Sequence, residues 1–215
     1  MRLRNLLLAA GIGILTTGSL TAQTKVIPML EDQIVLEFVG QFNNTAATSQ
    51  QFGYISRIEG LNNAFSGGPQ TEATALFTFV TNATTDRVIA NGPLRIVNRT
   101  GTTTIYLSTA PADFSNPASF SQGTPIQVSK YRQQVVINTL TNAFITTHMN
   151  TITETEVFGL NGTSYRLGRV KETFRTSYSG QSNTPGAVPS GWFGGNAVGS
   201  ARTHNVFTDD EASLP

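Results

Sequence analysis

Chemistry in this chain can come from few residues. It has two histidines, His148 and His204, and no cysteine. As a general base, His148 would need a partner within hydrogen-bond reach. Glu154 shares its strand parity but lies about 20 Å further along an extended chain, too far to serve. A hydrogen-bonded structural histidine is therefore the favoured reading of His148, and a solvated one of His204. Glu154 and Glu156 fall about 7 Å apart between Cα atoms on one strand face. That is within reach of the carboxylate spacing glycosidases use, although paired acids in a Thr-rich strand read first as surface.

The arginines offer a different chemistry. Arg57 and Glu59 share a strand face and can pair laterally. Lining a lumen, they would be a buried polar pair and a ligand site; facing water, they matter little. Arg95, Arg99, Arg166 and Arg175 are also mid-strand cations. Turned inward they would clamp a carboxylate. Turned outward, the favoured reading, they protect the strand surface. Tyr54, Phe77 and Phe79 stand on aromatic strand faces that would flank them. The expected ligand-binding set is therefore Arg57, Glu59, Arg95 and Arg166 with Tyr54, Phe77 and Phe79. No catalytic residue can be assigned. The chain lacks a nucleophile elbow, a P-loop, a dinucleotide fingerprint, a zinc-protease motif and a calcium loop, so no cofactor or metal is implied. The missing cysteines remove disulfides, thiolate catalysis and Cys-ligated metals.

Strands must position these residues. The densest signal is Arg132–Asn150, two β-branched arms around a turn at Leu140–Asn142. Further strands are expected at Gln33–Gly40, Gln51–Glu59, Glu72–Thr81 and, briefly, Arg87–Ala90. Leu94–Arg99 and Thr102–Ser108 read as a hairpin about a Thr100-Gly101 turn. Asn161-Gly162 is a second hairpin signal, followed by Ser164–Val170 and Glu172–Ser179. Ala110–Pro125, with three prolines, is the longest internal loop; such a loop borders a site or caps one end. Gly180–Gly199 is Gly-rich around Trp192-Phe193, either a plug at a barrel end or a sugar-stacking platform.

Composition narrows the class. Charged residues make up only 13% of the chain, about half the usual share. Thr, Asn, Ser and Gly fill the gap, which suits strands and turns rather than helices. Met1-Arg-Leu-Arg-Asn5 followed by apolar Leu6–Leu20 has the form of a signal peptide, with cleavage expected near Ala22/Gln23. Removing Arg2 and Arg4 with it takes the 14 cations below the 13 acids. No basic stripe remains for nucleic acid, and no electrostatic attachment or stable insertion into a membrane is expected of the mature chain.

These observations predict an all-β protein: a single antiparallel barrel of the lipocalin or cyclase type with about 8–10 strands, or else a β-sandwich. The expected organisation is a signal peptide over 1–23 (a helix in the precursor), a linker over 24–32, a barrel domain over 33–200 and a flexible tail over 201–215. The expected location is secreted or periplasmic. The function that follows is binding of a small apolar or amphipathic ligand, or a carboxylate, in the lumen. The alternatives are a structural or adhesive extracellular module and a cofactor-free isomerase or cyclase; an enzyme is the less favoured outcome.

Overall fold

The computed structural model describes residues 23–184 and 187–201. Residues 1–22 of the expected signal peptide, His204 and the acidic cluster Asp209–Glu211 lie outside the described residues. The strands are β1 (Lys25–Ile27), β2 (Ile34–Asn44), β3 (Thr48–Ile58), β4 (Phe77–Asn91), β5 (Leu94–Ser108), β6 (Gly123–Asn138), β7 (Ala143–Thr155), β8 (Val157–Leu160), β9 (Thr163–Leu167), β10 (Thr173–Ser182) and β11 (Gly191–Gly199). Eight of them close into an antiparallel barrel, β2-β3-β4-β5-β6-β7-β10-β11, with β11 returning to pair with β2. The order is up-and-down and leaves no sheet edge along the closed wall. Closure rules out the sandwich alternative.

Alternation fixes the two faces of the wall. On β7, Phe144, Thr146, His148 and Asn150 are buried in the lumen, while Ile145 and Met149 are exposed outside. Inward glycines make room for the rings that fill the lumen. A Cβ on Gly40 would sit 2.7 Å from the Phe193 ring, one on Gly53 2.9 Å from Phe79, and one on Gly180 2.7 Å from Phe144.

The same packing corrects several expectations. Thr100-Gly101 is not a turn. It lies mid-strand in β5, where a Cβ on Gly101 would stand 2.8 Å from the Tyr131 ring. The turn falls at Gly92-Pro93 instead, and Arg87–Ala90 is the continuation of β4 past a bulge between Thr85 and Arg87. The Gly-rich segment supplies β11, the strand that closes the barrel. Gly194, Gly195 and Gly199 lower strand propensity, so composition hides a strand whose Gly195 and Gly199 are closely approached by the chain at Ser177–Tyr178 and at Met29. The expected linker is also structured: β1 runs parallel to β9, and Met29 is fully buried.

The two ends of the barrel differ. At one end the long connections gather. The small sheet β1-β9-β8 lies across it, held by Gln127 Nε2 donating to the Leu167 carbonyl at 2.9 Å. Asn161 and Gly162 both take positive φ in the tight β8–β9 turn, as the Asn-Gly signal predicts. Leu36, Ile58, Phe77, Ile126 and Ile152 are buried under this sheet with Phe158 and Leu167. At the other end the strands meet in tight hairpins between β2 and β3, β4 and β5, and β6 and β7. Here the wall is uneven. β3 leaves β4 at Thr84, whereas the β4–β5 pairing continues to Asn91 and Leu94. The 110–125 loop leaves the covered end, where it joins β5 to β6, and folds back along the outside. Its 3-10 turn, Pro117–Ser121, packs on the outer wall, where Phe114 and Phe120 cover Phe52 and Thr78 Oγ1 donates to the Phe120 carbonyl at 2.8 Å.

Candidate functional site

Polar residues cross the middle of the lumen. The Tyr178 hydroxyl donates to Gln51 Oε1 at 2.9 Å, accepts from Gln133 Nε2 at 2.9 Å and lies 3.0 Å from His148 Nε2. These four residues come from β10, β3, β6 and β7, so the bonds tie opposite walls together. A phenol has one proton to give. With that proton on Gln51, the contact to His148 requires an Nε2–H tautomer. Tyr131 stacks on the other side of His148, with ring centroids 4.3 Å apart and an interplanar angle of 8°.

Burial keeps this layer neutral. It pushes the His148 imidazole down to about 3, with the Arg99 charge adding to the effect. It pushes both the Tyr178 and Tyr131 phenols above their ordinary range. A proton-transfer residue works best with a pKa near the working pH. Groups moved this far from neutrality are suited to hydrogen bonding rather than to acid–base catalysis.

Arg99 stands next to this layer. Its β6 neighbour across the pair is Gln133, which in turn faces His148 on β7. Arg99 is 7% exposed, and its Nε–H donates one long bond, 3.4 Å, to Thr85 Oγ1. It forms no ion pair with any described residue. Burial lowers its pKa, the nearby Tyr178 and Tyr131 act to raise it, and Arg95 lowers it further. A buried cation without a counter-ion costs on the order of several kcal/mol.

Two small cavities flank Tyr178. The one toward the covered end is about 50 Å³ and is lined by Phe38, Phe79, Ile105 and Phe174 together with His148 and Asn150. The one toward the open end is about 20 Å³. Its wall is apolar at Phe42, Val135, Ile137 and Phe144 and polar at Ser49, Gln51, Gln133 and Arg99. Ser49 Oγ and Gln133 Oε1 are buried there without hydrogen-bond partners. A water needs about 10–15 Å³, so each cavity is of water scale. Ligand pockets for drug-sized molecules run to roughly 300–1,000 Å³. The lumen is a packed interior with an amphipathic mouth.

The residues expected to bind ligand are spread over four places. Tyr54 faces outward, its ring 5.9 Å from Phe65 and 6.2 Å from Phe114. Arg57 and Glu59 do pair, at 2.6 Å, but on the exposed outer wall, where Arg57 also reaches Glu37 at 3.2 Å. A bulge in the β2–β3 pairing between Glu37 and Phe38 sets this face. Phe77 and Phe79 point inward as lumen filler: Phe77 meets Phe158 at 5.7 Å under the small sheet, and Phe79 meets Phe38 at 5.8 Å. Arg166 sits on β9, outside the barrel, aligned with Val26 and Val157. Arg95 alone of the expected cations shares the inner face of the mouth, opposite Ile137. Trp192 and Phe193 cannot form one platform, because alternation turns Trp192 outward and buries Phe193 in the lumen.

Sequence reading missed Gln51, Gln133, Tyr131 and Tyr178, and favoured the wrong face for Arg99. The available signal was parity: Tyr131, Gln133 and Val135 alternate with exposed Arg132 and Gln134. Among the described residues, no group of three or more His, Asp, Glu or Cys side chains could hold a metal ion. Compared with known proteins, the chain matches no family model, no curated sequence and no solved structure.

Proposed function

We propose that this is an exported barrel protein that binds a small amphipathic ligand at the open end of its lumen. One observation carries the reading. The mouth cavity joins an apolar wall of Phe42, Val135, Ile137 and Phe144 to buried polar atoms that lack partners, Ser49 Oγ and Gln133 Oε1. A buried polar atom left unsatisfied costs about 1–3 kcal/mol, and a ligand with a polar head and an apolar body removes that cost at Ser49 Oγ, whose hydroxyl can donate to the head. The interior is too full to swallow a large apolar molecule, so the ligand seats its head in the mouth and keeps its body near the rim. Export rests on the basic start and apolar run of residues 1–20.

Methyl NMR tests the binding. Titration with octanol is expected to shift the Val135 and Ile137 methyls saturably and leave those of Ile126 and Ile152, at the covered end, in place. Shifts scattered over outer-wall methyls such as Ile145, or none, would overturn the reading. Export is checked by the mass of the protein recovered outside the cytoplasm, expected to begin near Ala22/Gln23.

A further inference from the structure

We infer that the ligand's head is a carboxylate and that Arg99 is the residue that receives it, with its apolar body leaving along Val135, Ile137 and Phe144. This rests on the mouth being an amphiphile site and names the chemistry of its occupant.

Arg99 is buried, lines the mouth cavity and pairs with no acid among the described residues. Its one protein bond uses Nε–H, toward Thr85. The terminal amino groups keep four N–H donors for water or a ligand. A guanidinium presents donors in a planar fork that matches the two oxygens of a carboxylate. Ser49 Oγ, unpartnered on the same cavity, is a further donor for one of those oxygens.

Size and charge favour a carboxylate over a phosphate. The free space is about 20 Å³, room for little more than the water a compact head would displace. A phosphate is bulkier and brings about −1.5 to −2 charge against a single buried cation. The second cation, Arg95, stands on the exposed rim of the same inner face. It lies on the approach rather than at the seat, and would draw an anion inward.

The uneven rim then guides the rest of the molecule. Beyond the last β3–β4 pair, β4 and β5 continue as a wall whose inner face carries Val88 opposite Val97, itself opposite Val135. Val88 is 44% exposed there, with nothing from β3 across from it. An alkyl or aryl body anchored at Arg99 meets apolar surface outside the closed wall, so the small enclosed volume does not limit its length.

Calorimetric titration of the full-length mature protein with octanoate and with octanol tests this. Octanoate is expected to bind about tenfold or more tightly, as a charge-assisted bond predicts. In Arg99→Met the acid is expected to fall to the affinity of the alcohol, while Arg57→Met on the outer wall keeps the preference. Equal affinities in the unmodified protein would overturn the carboxylate and leave the amphiphile site standing. Binding of neither would overturn both. An acid preference that survives in Arg99→Met would overturn the assignment to Arg99. Arg99→Lys, which keeps the charge and loses the fork, is expected to retain part of the preference; none retained, with the fold intact by circular dichroism, would show that geometry outweighs charge and would still support the fork.

Discussion

The covered end and the open end of this barrel are built from the same strands to different standards. At the covered end, Phe77 is fully buried, its ring meets Phe158 at 5.7 Å, and β1, β8 and β9 seal the layer. Here too polar atoms are left over: Gln127 Nε2 donates to the Leu167 carbonyl, while Gln127 Oε1 and Ser129 Oγ are buried without partners. At the open end, Arg99 has no counter-ion among the described residues, and Ser49 and Gln133 leave buried atoms unpaired. Unsatisfied polar atoms therefore occur at both ends, and the distinguishing cost is the uncompensated charge at the open end. What sets the mouth apart is its buried cation, and the proposed ligand site rests on that charge. The Tyr178 layer is the boundary between them.

Mutation should separate the two ends. The largest effect is expected from Phe77→Ala, which opens a cavity in the sealed layer and should destabilise by about 3–5 kcal/mol in urea titration. A loss well under this would mean that the covered end is loosely packed. Next is the boundary. Tyr178→Phe strips the hydroxyl from Gln51, Gln133 and His148 together and should cost about 2–3 kcal/mol, because the amides are left buried.

The histidine adds a pH signature. His148 is depressed to about 3 when folded, against an ordinary 6.5, so in that window the unfolded chain binds the extra proton. Stability should therefore be complete above the unfolded value and fall as the pH drops through the window, by at most about 1.4 kcal/mol per unit from this residue. Denaturation midpoints measured from pH 7 to pH 4 should show a shallower slope in His148→Gln.

Arg99→Met sharpens the contrast by its sign. Removing an uncompensated buried charge should stabilise the protein by about 1–2 kcal/mol, the opposite of the changes at the covered end. A clear destabilisation would mean that Arg99 supports the fold. The smallest effect is expected on the outer wall. Arg57→Ala breaks two exposed ion pairs and should shift stability by less than about 1 kcal/mol, less still at high salt.

Particular residues show how far the sequence could be read. The β-branched arms around Leu140–Asn142 become β6 and β7, and Asn161-Gly162 becomes a hairpin, because both signals are local. Thr100-Gly101 and the Gly-rich stretch before Gly199 misled for one reason. Glycine there answers to a close approach from a neighbouring strand, the Tyr131 ring at Gly101 and the Ser177 carbonyl with Tyr178 Cα and Cβ at Gly195, and these partners lie on other strands. The candidate site was less legible. Arg57 and Glu59 have the appearance of a site and lie in water, while Arg99 looked like surface and is buried.

By itself, the sequence determined the class of protein: strand-rich, cysteine-free and sparsely charged. It also determined which residues share a face within each strand, because side chains alternate with a fixed period of two. Only the tertiary structure decided which face looks inward. A bulge such as that between Thr85 and Arg87 shifts parity partway along a strand. Closure of β11 onto β2 then turns one face into a lumen and brings Gln51, Gln133, His148 and Tyr178 within bonding distance across spans of up to 127 residues. Those contacts exist only when the barrel is shut, so the mouth with its buried cation is a property of closure rather than of any one segment.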